Sequence, residues 1–194
     1  MYKLGYFYSK GKYVEQDVER AVEWYRLAAE LNNAQAQCNL ALCYMNGKGI
    51  SKNVDFGVYW LERAVTNGSI MAMYNLGKCY EVGLGVEENT YFALKNYLNA
   101  ANNGNVEAKL AVVRLYKYEY KDYEQAIYWL NDLIKTDKDE VYIELSDIYI
   151  SGLGVEKDEY MASNLLEMVK DNSNENYVLV KEKIKKYKEG KTSI

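Results

Sequence analysis

The sequence predicts an all-α fold, a solenoid of about five stacked helix pairs, and three observations carry this prediction. Tyrosine recurs at a nearly fixed spacing of 36 residues, with one interval of 33 (Tyr8, Tyr44, Tyr80, Tyr116 and Tyr149). Apolar residues within each repeat follow helical spacing, and an Asp or Asn precedes each second helix. A period in this range is typical of architectures in which a repeat buries its apolar face only by stacking on its neighbours.

Each repeat divides into two amphipathic helices, a first helix A and a second helix B. In the second repeat we predict helix A over 34–46 and helix B over 54–67. The packing positions of helix B lie at offsets of 0, 3, 4 and 7, namely Gly57, Trp60, Leu61 and Ala64. The small residue lets two helices approach closely, and the large ring beside it fills the remaining gap. We therefore assign the three tryptophans to the core: Trp24, Trp60 and Trp129.

The start of helix B carries an Asp or Asn four residues before the small residue in every repeat. These residues are Asp17, Asn53, Asn89, Asp122 and Asp158. A side-chain oxygen of Asp or Asn accepts a hydrogen bond from a backbone amide that the first helical turn leaves unpaired. The pattern predicts five helix N-caps.

A glycine turn joins the two helices in three of the repeats. It has the form G-x-G-[VI] at 47–50, 83–86 and 152–155. The first repeat keeps one glycine, whereas the fourth lacks the motif and is three residues shorter. Glycine adopts positive φ at a helix end at low cost. Recurrence at the repeat period favours a structural turn over a phosphate-binding loop.

The composition gives little support for catalysis or for a metal site. The 194 residues include no histidine, the commonest general base and the commonest zinc ligand. Cys38, Cys43 and Cys79 lack the spacing of a disulfide framework or a metal site, and we predict that Cys43 and Cys79 are buried as small apolar side chains. An odd cysteine count without a framework favours a reducing, cytoplasmic compartment. We predict no catalytic, cofactor-binding or metal-binding residue.

We expect a single repeat domain over 1–194, because no linker rich in Pro, Gly or Ser divides the chain. Its parts are a truncated first repeat 1–33, the repeats 34–69, 70–105, 106–137 and 138–173, and a terminal helix 174–194. The terminal helix presents one apolar face and is expected to cap the solenoid. That face comprises Tyr177, Val180, Ile184 and Tyr187. Its lysines are interspersed with Glu182 and Glu189, which favours a solvated helix over a nucleic-acid contact.

One residue pattern recurs most completely at 36–68 and 72–104. It reads A-x-x-x-L-[GA]-x-x-Y-x-x-G-x-G-[VI]-x-x-[ND]-x-x-x-A-x-x-[WY], followed by A-x-x-x-G. This pattern resembles the Sel1-like repeat, a relative of the tetratricopeptide repeat, and the resemblance covers about residues 1–173. The shorter fourth repeat is more similar to an ordinary tetratricopeptide repeat. The resemblance implies a right-handed α/α superhelix with helices A lining a concave surface, and an adaptor or scaffold role.

Removal of the packing positions from helices A leaves the residues that should face this concave groove. The predicted partner-binding residues are Tyr2, Tyr6, Leu42, Met45, Met71, Tyr74, Lys78, Glu81, Leu110, Arg114, Lys117, Ile143 and Asp147, with Cys38 and Ile150 in the same register. Tyr, Met and Arg are enriched at the centres of protein interfaces. The alternative is that several of these side chains pack against neighbouring helices A.

The leading hypothesis is a non-catalytic protein–protein interaction module that binds a peptide, helix or domain of another protein along the groove. An alternative is a bacterial immunity or antagonist protein that occludes a toxin or effector. A hydrolase is a less favoured third class, since without histidine it needs a carboxylate pair, a Ser-Lys pair or a cysteine nucleophile. We expect no nucleic-acid partner and no membrane span, and self-association through the solenoid ends is a further expectation.

Overall fold

The computed structural model describes the backbone of residues 1–192 and the side chains of residues 1–190. Within these residues every regular element is helical, as the sequence predicts. In chain order the α-helices are α1 Tyr2–Lys10, α2 Val18–Glu30, α3 Ala34–Asn46, α4 Val54–Thr66, α5 Ile70–Val82, α6 Thr90–Asn102, α7 Val106–Arg114, α8 Tyr123–Leu133, α9 Asp139–Ser151, α10 Glu159–Glu167 and α11 Glu175–Thr192. The predicted bounds of α3 agree with the structure, and α4 is one residue shorter than predicted. Positions 193 and 194 of the predicted terminal helix lie outside the described residues.

The chain forms two compact units. Unit 1 is Met1–Ala108, and unit 2 begins at Lys109. In unit 1, α1 packs on α2, α3 on α4 and α5 on α6, while α2 meets α3 and α4 meets α5. In unit 2, α9 packs on α10, and α11 lies against both of them.

All five predicted N-caps are confirmed. Each cap side chain accepts a hydrogen bond from the backbone amide three residues later, at 2.9 to 3.1 Å. The recurrent tyrosines contribute a second bond, because the backbone carbonyl of each one accepts from the amide of the cap residue. The pairs are Tyr8 with Asp17, Tyr44 with Asn53, Tyr80 with Asn89, Tyr116 with Asp122, and Tyr149 with Asp158, at 2.8 to 3.1 Å. The end of helix A is therefore hydrogen-bonded to the start of helix B in every repeat.

The glycine turns have the left-handed backbone that the sequence predicts. Gly47 and Gly49 have φ values of +67° and +72°, and the corresponding glycines of the two other turns match them closely. A Cβ atom at Gly49 would lie 2.4 Å from the carbonyl oxygen of Val18, so the turn also passes close to the preceding helix B. In the first repeat Tyr13 stands at this second position and still has a φ of +67°.

The shortened fourth repeat changes the end of its helix A. A π-helical segment, Leu115–Tyr120, follows α7 directly, and Lys121 then adopts a φ of +53° before the cap Asp122. The wider π-helical turn and this single left-handed residue replace the glycine turn. The sequence identified the missing residues but did not predict the π-helix.

The core follows the helix B pattern in most repeats. Trp60 and Trp129 are buried, whereas Trp24 is half-buried, so the assignment of Trp24 to the core was wrong. Leu165 occupies the same position in the fifth repeat and is also half-buried. The next residue of the first repeat, Tyr25, is buried, as are the residues at its position in the other repeats. A Cβ atom at Gly5 of the facing helix would lie 2.7 Å from the Tyr25 ring, so this glycine leaves space for it.

Candidate functional site

An open cavity of about 370 Å³ lies between α1, α2 and α3 in unit 1. We call it the α1–α3 cavity. It is lined by Tyr2, Tyr6, Ser9, Lys10, Val18, Ala21, Tyr25, Asn39, Leu42, Cys43, Asn46 and Lys48. The structure thus brings together three of the predicted partner-binding residues, Tyr2, Tyr6 and Leu42.

The cavity is framed by aromatic rings whose positions are fixed by packing. Tyr25 is buried, and its hydroxyl donates to the Ser9 Oγ atom at 3.1 Å. The ring of Tyr2 lies 6.2 Å from that of Tyr25, while Tyr6 is 39% exposed at the rim. Burial raises the pKa of the Tyr25 hydroxyl, so this group remains a protonated donor at neutral pH.

The predicted residues of the third repeat make contacts within unit 1. The ring of Tyr74 packs 5.7 Å from that of Tyr97 in α6, and the Lys78 Nζ atom lies 5.8 Å from the Tyr74 ring. Glu81 accepts a hydrogen bond of 2.6 Å from the Tyr97 hydroxyl. Met71 is 54% exposed. These contacts agree with the alternative that several groove positions serve packing.

Two predicted positions of the second repeat also lie against the core. Met45 packs over Gly57 of α4, where a Cβ atom would lie 2.3 Å from the Met45 Cγ atom. Cys38 is only 2% exposed, so the expectation that it faces an open groove was wrong. Its Sγ atom is 3.9 Å from the Asn75 amide nitrogen in α5, which shows that the adjacent helix A covers it.

In unit 2 the predicted residue Lys117 is buried in an ion-pair network. Its Nζ atom contacts Glu144 at 2.5 Å and Asp147 at 2.8 Å, and Lys183 of α11 also pairs with Asp147. Burial alone would lower the pKa of Lys117, but the neighbouring carboxylates of Glu144 and Asp147 outweigh it and raise that pKa. The ammonium group is therefore charged and already paired.

Helix α11 covers the inner side of α9. Val180 and Ile184 are buried in one apolar cluster with Ile143 and Ile150, and Tyr177 packs at its edge. Ile143 and Lys117 are 3% and 5% exposed, so both are largely buried, but together with Asp147 they line a cavity of about 290 Å³ beside α11. The terminal helix has the apolar face that the sequence predicts, but it occupies the side of α9 on which a partner was expected.

The remaining predicted residues belong to α7. Leu110 is half-buried and Arg114 is exposed at the surface of the helix. Partner binding by any of the predicted residues stays a prediction.

The three cysteines are free thiols, and Cys79 is buried as predicted, whereas Cys43 is only half-buried. Burial raises the pKa of each thiol, to about 11 for Cys79. A thiolate is the nucleophilic form of cysteine, so these side chains are poorly suited to attack a substrate at neutral pH. Among the described residues, no group of three His, Cys, Asp or Glu side chains is arranged to hold a metal ion.

No helix in the described part of the chain is both long enough and apolar enough to cross a membrane.

The protein surface carries exposed aromatic rings that the sequence did not lead us to expect. Phe56 and Tyr59 of α4 stack at 5.5 Å, and Tyr91 and Phe92 of α6 pack edge to face at 5.6 Å. The signal available in the sequence was the recurrence of Phe56 and Phe92 at the period of 36. Lys10, Asn39 and Lys48 of the α1–α3 cavity were also missed, although Asn39 recurs as Asn75 and Lys48 follows Lys12 at the period of 36.

Comparison with known proteins identifies the repeat. The family model described as Sel1 repeat matches residues 1–33, 34–69, 70–105, 108–131 and 140–168. No curated protein matches the chain significantly.

Two solved structures from bacteria resemble the chain. A Sel1 repeat protein from Oxalobacter formigenes is 31% identical with a TM-score of 0.78, over 86% of this chain and 70% of that protein. A protective antigen of uropathogenic Escherichia coli strains with an SLR fold is 29% identical with a TM-score of 0.82. That match covers 89% of this chain but only 38% of the antigen's length. Sel1 repeats are typically protein-interaction modules and generally form a non-catalytic fold. The chain therefore belongs to the Sel1 repeat family.

Proposed function

We propose that the protein is an interaction module that binds a partner protein through unit 1, at the α1–α3 cavity. The observation that supports this most is the convergence of Tyr2, Tyr6 and Leu42 on one open cavity. Tyrosine rings are frequent anchors of protein interfaces, since they bury much apolar area at little entropic cost. An adaptor and an antagonist that occludes a toxin can both use such a surface, and they differ in the identity of the partner.

Predicted partner-binding residues are more exposed in unit 1 than in unit 2, which favours a binding site in unit 1. In unit 2, Lys117 is held by two carboxylates and Ile143 is covered by α11. They line a cavity of about 290 Å³ beside α11 together with Asp147, but its charged groups are already paired with one another. Tyr6 and Met71 of unit 1 are 39% and 54% exposed, so they are accessible without any rearrangement.

Quantitative affinity capture from a lysate of the source organism tests the proposal. The immobilised wild type is compared with the variant Tyr6→Ala at the rim of the cavity. The matched control is Tyr91→Ala, which removes a ring that is 65% exposed on a helix B. We expect the control to retain the specific partner and the Tyr6→Ala variant to lose most of it. Equal retention by both variants would contradict the proposed site.

A further inference from the structure

We propose that the segment taken by the α1–α3 cavity is an acidic peptide that inserts one aliphatic or aromatic side chain. This inference rests on the proposed function and adds the chemistry of the partner to it. The cavity combines an apolar wall, formed by Tyr2, Tyr6 and Leu42, with the cations Lys10 and Lys48.

The charged side chains that line the two cavities beside α1 are all lysines. Lys10 and Lys48 line the α1–α3 cavity, and Lys3 and Lys12 line a second cavity of about 390 Å³ beside the same helix. Among the described residues, no carboxylate lines either cavity. The first 14 residues contain three lysines and no acidic residue, and the acidic residues that follow, Glu15, Asp17 and Glu19, line neither cavity. Such a local excess of cations attracts and orients an anionic partner.

The lysines that line the α1–α3 cavity can act on a ligand. Lys10 and Lys48 are both exposed, so their ammonium groups remain hydrated until a partner arrives. By contrast, Lys117 of unit 2 has a structural role, because it is buried against two carboxylates.

The uncharged polar residues that line the α1–α3 cavity suit a polypeptide ligand. Ser9, Asn39 and Asn46 place hydroxyl and amide groups beside the rings. Such groups can hydrogen-bond to peptide carbonyl and amide groups. A volume of about 370 Å³ is at the small end of the range for ligand sites, which is enough for one anchoring side chain and its flanking backbone.

A single-stranded nucleic acid is the competing ligand chemistry, since it also combines negative charge with stacking. Binding of that kind draws its affinity from many phosphate contacts along a basic groove. Only two lysines line the α1–α3 cavity, and the protein as a whole is acidic. The structure therefore favours a peptide with acidic residues on either side of one anchor.

Display of random dodecapeptides on phage tests the inference with a defined probe. The library is panned on the full wild-type chain and, in parallel, on Lys10→Gln/Lys48→Gln. The matched control is Lys95→Gln/Lys186→Gln, which removes the same charge from two exposed lysines outside the cavity. Circular dichroism and thermal melting establish that all three proteins are folded alike. The best selected peptide is then synthesised, and its affinity is measured by fluorescence anisotropy at 50 and 200 mM salt, beside a dodecamer of oligouridylate.

We expect the wild type and the control to enrich peptides with Asp or Glu flanking one large apolar residue. The affinity of the selected peptide should fall about five- to tenfold in Lys10→Gln/Lys48→Gln and should weaken with salt. Enrichment of neutral or basic peptides, absence of any enrichment, equal binding by the two lysine variants, or tighter binding of oligouridylate would each overturn the inference. If affinity capture succeeds while the display selects neutral peptides, the acidic preference is wrong and the proposed function stands.

Discussion

In each repeat a single residue, the N-cap of helix B, joins helix A to helix B by hydrogen bonds. The Asn89 side chain accepts a hydrogen bond from the backbone amide of Phe92 at 3.0 Å. The backbone amide of Asn89 donates to the backbone carbonyl of Tyr80 at 2.8 Å. One residue thus satisfies a donor of the new helix and an acceptor of the helix that has just ended. The same pair of bonds occurs at all five caps, which explains why Tyr and Asp/Asn share one period.

We predict that Asn89→Ala lowers the free energy of unfolding by about 1 kcal/mol, because the side-chain acceptor is lost. Asn89→Asp is the matched control, since it keeps an accepting oxygen and adds negative charge at a helix N-terminus. Chemical denaturation monitored by circular dichroism measures both variants. Loss of the same stability in Asn89→Asp as in Asn89→Ala would contradict the capping role.

A second prediction separates backbone strain from close packing in the turns. Gly49 and Gly68 both have positive φ, at +72° and +83°. A Cβ atom at Gly49 would meet the Val18 carbonyl at 2.4 Å, whereas a Cβ atom at Gly68 meets nothing within 4 Å. We expect Gly68→Ala to cost about 1 kcal/mol through strain alone and Gly49→Ala to cost clearly more. Equal melting temperatures for the two variants would show that the close approach at Gly49 is unimportant.

At the scale of elements, the caps, glycine turns and helix boundaries could all be predicted because they depend on local chemistry. The half-burial of Trp24 could not, since tryptophan at the same position is buried in the second and fourth repeats. The π-helical segment after α7 was also missed, because a shortened repeat shows that residues are absent but does not show how the backbone accommodates the loss. Of the candidate site, sequence register supplied Tyr2, Tyr6 and Leu42 but not the cavity lysines.

The terminal helix illustrates the same limit. Its apolar face was predictable from spacing, whereas its position over α9 depends on tertiary contacts with Ile143 and Ile150. We predict that Ile184→Ala, at a side chain only 7% exposed, costs about 2–3 kcal/mol. Leu179→Ala, on the exposed side of the same helix, should change stability by about 0.5 kcal/mol or less. Similar denaturation midpoints for the two variants would contradict the packing of α11 on this cluster.

The ion pairs beneath α11 predict a pH dependence. Burial alone would raise the pKa of Asp147, but hydrogen bonds and ion pairs with Lys117 and Lys183 outweigh it and lower that pKa. In the unfolded chain the pKa of an Asp side chain is about 3.9. Because the folded pKa is the lower one, the stability from Asp147 is present above about pH 4 and is lost as the pH falls through the folded pKa.

We therefore expect the melting temperature of the wild type to fall between about pH 4 and pH 2, and the fall to be shallower in Asp147→Asn. Thermal melts at several pH values in this range measure the slope. Glu156→Gln, at an exposed position in the loop before α10, is the matched control and should follow the wild type. A wild-type slope in Asp147→Asn would exclude a contribution from this network.

At the scale of the whole molecule, the two units use their helices A differently. Unit 1 leaves a cavity open between α1 and α3, whereas the cavity that Lys117, Ile143 and Asp147 line in unit 2 lies beside α11 and holds an internal ion-pair network. A period of 36 residues makes the repeats look equivalent, but the structure shows that their exposed surfaces are not. We therefore propose that the binding function belongs to the surface of unit 1 and not to the repeat as such.

Site-specific photo-crosslinking tests this central claim most directly. Benzoylphenylalanine replaces Tyr6, at the rim of the α1–α3 cavity, or Tyr91, which is 65% exposed on α6. Each protein is irradiated in a lysate of the source organism, and the adducts are identified by mass spectrometry. The account predicts a discrete adduct with one partner protein from position 6 and no such adduct from position 91. An adduct with that partner from position 91 alone, or no adduct from position 6, would contradict it.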